Sequence, residues 1–317
     1  MIPTRRNWCT GAALLLALSF SACHRPDTSK KLIVVIVPSQ DNPFFKAEAD
    51  AAAVRAVSLG YRVRVDAHDD DAYRQDNLID AAIASNAAAI ILDNAGADSS
   101  VAAVRRATKA GIPCLLIDRA INATGIAKAQ IIADNHQGSM IVAENFVEAL
   151  GPLGGSYVEL LGRESDTNAQ VRTSGFHSVL DRHPNLVRVA AQSANWSQAE
   201  AFQKTETILQ AHQDIKGIIS GNDTMALGAL AAVKSSGRRG IVISGFDGSP
   251  DAVASIRAGE LRATALQPAV LISRLAVDEA DDYLRTGSTH KPEQQIIPCE
   301  LVTRQNADDF HDFEKVR

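Results

Sequence analysis

No run of basic residues in the chain exceeds two, and 32 Lys and Arg face 37 Asp and Glu, for a formal net charge of -5. A surface built to neutralise a phosphate backbone needs the reverse, so no nucleic-acid partner is expected. No apolar stretch reaches the roughly 20 residues that span a bilayer. Aromatics make up 5% of the 317 residues, and the four cysteines contain no C-x-x-C pair, which argues against a zinc site or thioredoxin-type chemistry. Also missing are G-x-S-x-G, H-E-x-x-H, the P-loop, and G-x-G-x-x-G after the first strand-like run. The eight histidines are dispersed; His177 and His183, six apart, fall on nearly opposite faces of a helix. No metal or cofactor is therefore expected. What is left is an ordinary globular composition, 46% apolar and 22% charged, long enough for two lobes.

Residues 1–22 read as an export signal: Arg5 and Arg6, then an apolar stretch from Ala12 to Phe20, then small Ser21 and Ala22 before Cys23. The segment Phe20-Ser21-Ala22-Cys23 resembles a bacterial lipobox, with Phe20 in place of the usual Leu, so Cys23 is the expected lipidation site. A plain cleavage or an uncleaved anchor is the alternative. Residues 23–31 read as a polar tether. Cys114 and Cys299 then remain, each in an apolar strand-like run, where a lone Cys is usually a small core residue. Pairing in an oxidising compartment is the other reading.

Beyond the tether, apolar β-branched runs alternate with longer Ala-rich segments of helical period. The runs are Leu32–Val37, Val63–Asp66, Ala89–Leu92, Cys114–Ile117 and Gln130–Ile132. A second series follows at Ser156–Leu161, Val187–Ala191, Gly217–Ser220, Ile241–Ser244 and Ala263–Leu266. Helices are predicted over 44–59, 76–84, 98–110, 140–150, 170–183, 198–212 and 224–236. Strands apolar throughout, each followed by a helix, imply a parallel sheet covered on both faces. Two such series predict two similar α/β lobes.

Polar residues recur at the carboxyl ends of these runs: Asn42, Asp118-Arg119, Asn222-Asp223 and Asp247. Open α/β sheets bind ligands there. Taken singly, each is as well explained by capping the next helix; together, in both halves, they suggest a cleft between lobes. His68-Asp69-Asp70-Asp71 reads as a helix cap and a solvated loop, with a ligand or partner contact as the lesser alternative.

The segments Val37-Pro38-Ser39-Gln40-Asp41-Asn42-Pro43-Phe44-Phe45, Leu116-Ile117-Asp118-Arg119, Ala133-Asp134-Asn135, Gly221 to Ala229 (GNDTMALGA) and Gly245-Phe246-Asp247-Gly248 resemble, in order, the ribose-binding type of periplasmic sugar-binding protein. The resemblance spans essentially the whole mature chain. It implies two lobes joined by three crossings, near Ala133-Asp134, Gln267-Pro268 and Cys299–Val302. The N-terminal lobe would then be 32–133 plus 268–299, and the C-terminal lobe 134–267 plus 300–317. Matched position by position, it implies that Asn42, Phe44, Phe45, Asp118, Arg119, Arg172, Trp196, Asn222, Asp247 and Gln267 bind the ligand. The chemistry suits a monosaccharide: aromatic rings cover C–H faces, carboxylates accept from hydroxyls, and arginines donate through planar forks. Phe45 as core and Arg172 as a solvated helical residue are the plainer alternatives. Pro38 replaces a serine of the ribose binder and Trp196 a phenylalanine, which leaves a pentose, a furanose hexose, a branched sugar or a small polyol open.

The implied partners are a monosaccharide and the permease and ATPase of an ABC transporter. The protein would be periplasmic, monomeric, and held to a membrane only by its lipid. Signalling to a membrane sensor is the alternative output. Repressors of the lactose-repressor type share this fold, but an export signal stands where their helix-turn-helix would be. As a glycosidase pair, Asp118 and Asp247 would need a proton that two adjacent arginines are expected to remove, so no enzyme is expected.

Overall fold

The computed structural model describes Met1 and residues 30–316. The segment expected to be an export signal, apart from Met1, the expected lipidation site at Cys23 and most of the expected tether lie outside the described residues. In chain order the first half runs β1 (Leu32–Val37), α1 (Pro43–Ser58), β2 (Arg62–Ala67), α2 (Ala72–Ala84), β3 (Ala89–Leu92), α3 (Val101–Lys109), β4 (Cys114–Ile117) and β5 (Ala129–Ala133). The second half repeats the plan with α4 (Asn135–Leu150), β6 (Gly155–Leu161), α5 (Thr167–Leu180), β7 (Leu186–Ser193), α6 (Gln198–Ala211), β8 (Ile215–Ser220), α7 (Asp223–Ser235), β9 (Val242–Ser244), α8 (Pro250–Ala258) and β10 (Ala263–Leu266). The remainder is α9 (Ala269–Thr286), β11 (Gln294–Ile297), β12 (Glu300–Thr303) and a hairpin, β13 (Phe310–His311) with β14 (Glu314–Lys315).

Two six-stranded sheets result, ordered β11-β5-β4-β3-β1-β2 and β12-β10-β9-β8-β6-β7. The two orders match strand for strand. All pairings are parallel except β12, which joins β10 antiparallel. The central strands read as unbroken apolar runs because helices cover both faces. In β1, Ile33, Val35 and Val37 join the core under α1 and α9, while Val34 and Ile36 join the core under α2 and α3. The chain passes between sheets three times, at 133–135, 266–269 and 297–300.

The helix starts differ from the predicted ones where a cap precedes a polar first turn. Asp71 accepts from Tyr73 and Arg74 backbone N–H groups and starts α2 at Ala72; Asp134 accepts from Gln137 and starts α4 at Asn135. Apolar periodicity begins only later, so the predictions at 76 and 140 were late. Cys299 lies not in a strand but between β11 and β12. Cys299 and Cys114 are buried free thiols, and burial pushes both up to about 12. The tail, assigned above to the C-terminal lobe, touches both lobes: Phe310 enters the second lobe's core and Phe313 packs on Phe44 of the first.

Candidate ligand-binding cleft

The site grows out of the carboxyl ends of both sheets. Beyond β1, Asn42 caps α1 by accepting from Phe44 N–H at 3.0 Å, and Pro43 follows in the first turn. This sets Phe44 and Phe45 edge to face, with ring centroids 5.6 Å apart. After β4 the backbone of Asp118 turns left-handed (φ 57°) and delivers Asp118 and Arg119. In the second lobe Asn222 caps α7 through Met225 N–H at 2.8 Å. Asp247 (φ 121°) follows β9. The capping explanation of Asn42 and Asn222 is therefore correct, and both residues line the cavity as well.

One cavity gathers Asn42, Phe44, Phe45, Asp118, Arg119, Arg172, Trp196, Asn222 and Asp247 from the two lobes. Gln267 does not line it. At the second crossing, fully buried, Gln267 accepts from Arg172 Nη2 at 2.5 Å and donates to Asp118 Oδ1, linking one lobe's arginine to the other's carboxylate. Arg172 also donates to Asp247 Oδ1 (3.0 Å), the Gly221 carbonyl (2.8 Å) and Asn135 Oδ1 (2.7 Å). Its guanidinium lies 3.9 Å from the Phe246 ring centroid. This is a buried, fixed arginine rather than a solvated one.

Sequence reasoning missed Asp166, Asn168, Asn135 and Glu48. Asp166 caps α5 (Asn168 N–H, 2.8 Å), accepts from Trp196 Nε1 at 3.0 Å, and lies 2.8 Å from Arg119 Nε across the cleft. Asn168 donates to Asp118 Oδ1 at 3.0 Å and accepts from Asn135 at 3.1 Å. Both line the cavity. Residues 163–169 fall in no predicted element, the helix being expected only from 170, and only the meeting of the lobes makes Asp166 and Asn168 part of the site. Glu48, four residues after Phe44 on the buried face of α1, carried a signal: a carboxylate on an apolar helix face.

The acidic tract after β2 is in part the cap and solvated loop expected, since Asp71 caps α2 and Asp69 is exposed, but His68 and Asp70 turn inward. His68 is fully buried, with Nε2 2.8 Å from the Asp93 carbonyl and Nδ1 accepting from Asp70 N–H at 3.0 Å. Burial pushes it down to about 4, so it is neutral. Asp70 pairs with Arg119 (2.8 Å) and with Arg163 of the second lobe (3.3 Å). Burial would raise Asp70, but Arg119 first and Arg163 after it hold it below the ordinary value.

Burial raises Asp118 to about 6, against the pull of Arg119 and Arg172, and also raises Asp247. The two arginines thus do not hold these carboxyls at low pKa as expected; desolvation outweighs them. Behind Arg119, burial drives Glu48 and Asp93 far upward, with Asp93 adding repulsion at Glu48. Among the described residues, Asn42 Nδ2, Asn222 Nδ2, Asp118 Oδ2 and Asp247 Oδ2 form no hydrogen bond. The cavity-lining side chains thus keep donors and acceptors in reserve beside aromatic rings, the complement of a polyhydroxylated ring. No cluster fit to hold a metal ion occurs among the described residues.

A periplasmic binding protein domain matches residues 33–289. The chain is 54% identical over 302 residues to a D-apiose import binding protein of Paraburkholderia graminis, covering 95% of this chain and 96% of that one. The chain belongs to the periplasmic binding protein family, in its ribose-binding type. The Bacillus subtilis ribose import binding protein RbsB is 32% identical over 80% of this chain and 82% of its own. Among solved structures, a solute-binding protein of Actinobacillus succinogenes with bound D-allose superposes with a TM-score of 0.83 at 27% identity, covering 89% of this chain and all of that one. The two matched sheets and the cleft between them are thus the periplasmic binding protein architecture, and membership places the protein in the periplasm.

Proposed function

We propose that this periplasmic binding protein captures one compact monosaccharide, D-apiose before others, between its lobes and hands it to the permease of an ABC importer. The observation that carries the reading is a single cavity whose walls come from both lobes and combine Phe44, Phe45 and Trp196 with arginines and carboxylates. Asp166 and Asn168 add polar reach on one wall, which suits a branched sugar with an extra hydroxymethyl arm. Identity of 54% to D-apiose import binding proteins from two organisms supports the same choice. Ligand touching both lobes would stabilise the closed form, and a permease reads that form.

The test is a thermal-shift screen of the mature protein against D-apiose, D-ribose, D-allose and myo-inositol, with small-angle scattering on the best binder. D-Apiose should give the largest rise in Tm, because a ligand at about 100 times its Kd adds roughly 2.7 kcal/mol to stability, and it should shrink the radius of gyration. A better response to a hexose or inositol would overturn the choice of sugar. No response to any of the four would overturn the reading.

A further inference from the structure

The C-terminal hairpin ties the two lobes together at a point the three chain crossings do not account for. β13 and β14 pair antiparallel, Phe310 with Lys315 and His311 with Glu314, leaving Asp312 and Phe313 as a two-residue turn. Both turn residues have left-handed backbones, φ 46° and 61°. Such turns favour Asn-Gly, and a phenylalanine in that conformation is strained. The strain coincides with burial: the Phe313 ring is 2% exposed.

The anchors divide by lobe. On the second lobe, Phe310 is buried in the core, Arg257 of α8 donates to the Ala307 carbonyl at 2.8 Å and pairs with Asp308 at 2.9 Å, and Lys315 pairs with Glu300. On the first lobe, Phe313 packs edge to face on Phe44, centroids 5.5 Å apart at 84°, and Glu314 pairs with Arg274 of α9 at 2.7 Å. Phe44 in turn packs on Phe45, whose ring lies 5.0 Å from the Arg119 guanidinium carbon. One line of contact therefore runs from the tail to the aromatic wall of the cavity.

We propose that the hairpin is a strap across the lobe boundary and that Phe313 is a positioning residue for Phe44. Phe310 and Phe313 are three residues apart, a reach of no more than about 10 Å of chain. While both rings stay seated, the lobes cannot part at this edge, and opening must pivot about it. The strap thereby limits the open form and holds the Phe44–Phe45 pair in the orientation that faces the ligand.

This rests on the sugar-capture reading for its affinity arm and not for its shape arm. Mature wild type, Phe313→Ala, Phe313→Leu and Glu314→Gln are compared by calorimetry with D-apiose, Trp196 emission and scattering without sugar. Phe313→Ala should bind roughly three- to tenfold more weakly, the range an aromatic pair is worth. It should keep the full Trp196 response at saturation and have a larger sugar-free radius of gyration. Phe313→Leu should recover most of the affinity. If Phe313→Ala does not fold, Glu314→Gln, which cuts only the ion pair to Arg274, decides by the same two readouts with a smaller effect. Unchanged affinity and unchanged radius in the folded variants overturn the strap. Wild type that fails to bind overturns the sugar reading instead, and the sugar-free radius then decides the strap alone.

Discussion

At Asp118 a single carboxyl carries both the binding chemistry and its cost. It accepts from Asn168 and Gln267 while burial holds it at about 6, against an ordinary value of 3.8. Folded protein therefore binds this proton more tightly than unfolded chain, and the stability it contributes at low pH is lost as pH rises through about 6. Sugar binding runs the other way, because the charged form is the stronger acceptor for a hydroxyl. D-Apiose affinity should fall as pH drops from 7 to 5. Asp118→Asn should raise Tm at pH 8 but not at pH 4, lose about 1–3 kcal/mol of binding at pH 7, and flatten the pH profile. Titration calorimetry and melts at these pH values check this; an unaltered profile in Asp118→Asn assigns the proton elsewhere. Asp118 itself was legible as a polar residue after an apolar strand. Its left-handed backbone was not, since nothing in Ile117-Asp118-Arg119 demands φ 57°.

Among the elements, the strands were the most legible, because a run buried on both faces has no polar alternation to confuse it. β11 and β12 were missed for the converse reason: Gln294–Ile297 and Glu300–Thr303 are partly exposed edge strands. The loop from β6 into α5 was the least legible element. Gly162 there is small for a reason the sequence hides: an added Cβ would overlap the Trp196 indole. Trp196 itself sits at φ 64° and is tied to Asp166 at 3.0 Å. Gly162→Ala should displace the indole, lower stability by about 1–3 kcal/mol through overpacking, and weaken sugar binding more than tenfold. Near-ultraviolet dichroism on a chain begun at Cys23 reports the displacement, since Trp196 is then the sole tryptophan. A native spectrum and native affinity in Gly162→Ala would show that the indole has room to spare.

For the molecule as a whole, the two-lobe plan was legible from the repetition of strand and helix, and the crossings from the resemblance. The traffic between lobes was not: Arg119 with Asp166, Arg163 with Asp70 and Asn168 with Asp118 join residues from opposite halves. Residue spacing contains no trace of such pairs. Anchoring is also a property of the whole chain. We infer that Cys23 carries lipid, so wild type should sediment with membranes and Cys23→Ala should fractionate as soluble periplasmic protein. Wild type found wholly soluble with an unmodified Cys23 would remove the anchor.

The order in which the strands are made has its own consequence. Each sheet has five of its six strands in one continuous stretch, β1 to β5 and β6 to β10, and takes its sixth from the tail. The first sheet is begun at Leu32, yet its β5 edge stays open until β11 arrives at Gln294. A chain made from its N-terminus therefore completes the two sheets almost together, the leading one with β11 and the second with β12 just after it. Between β5 and β11, about half of the chain, the first sheet presents an uncapped parallel edge to other chains, whereas the β10 edge is covered soon after it forms. The β5 edge must be shielded, or collapse delayed, until the polypeptide is nearly complete.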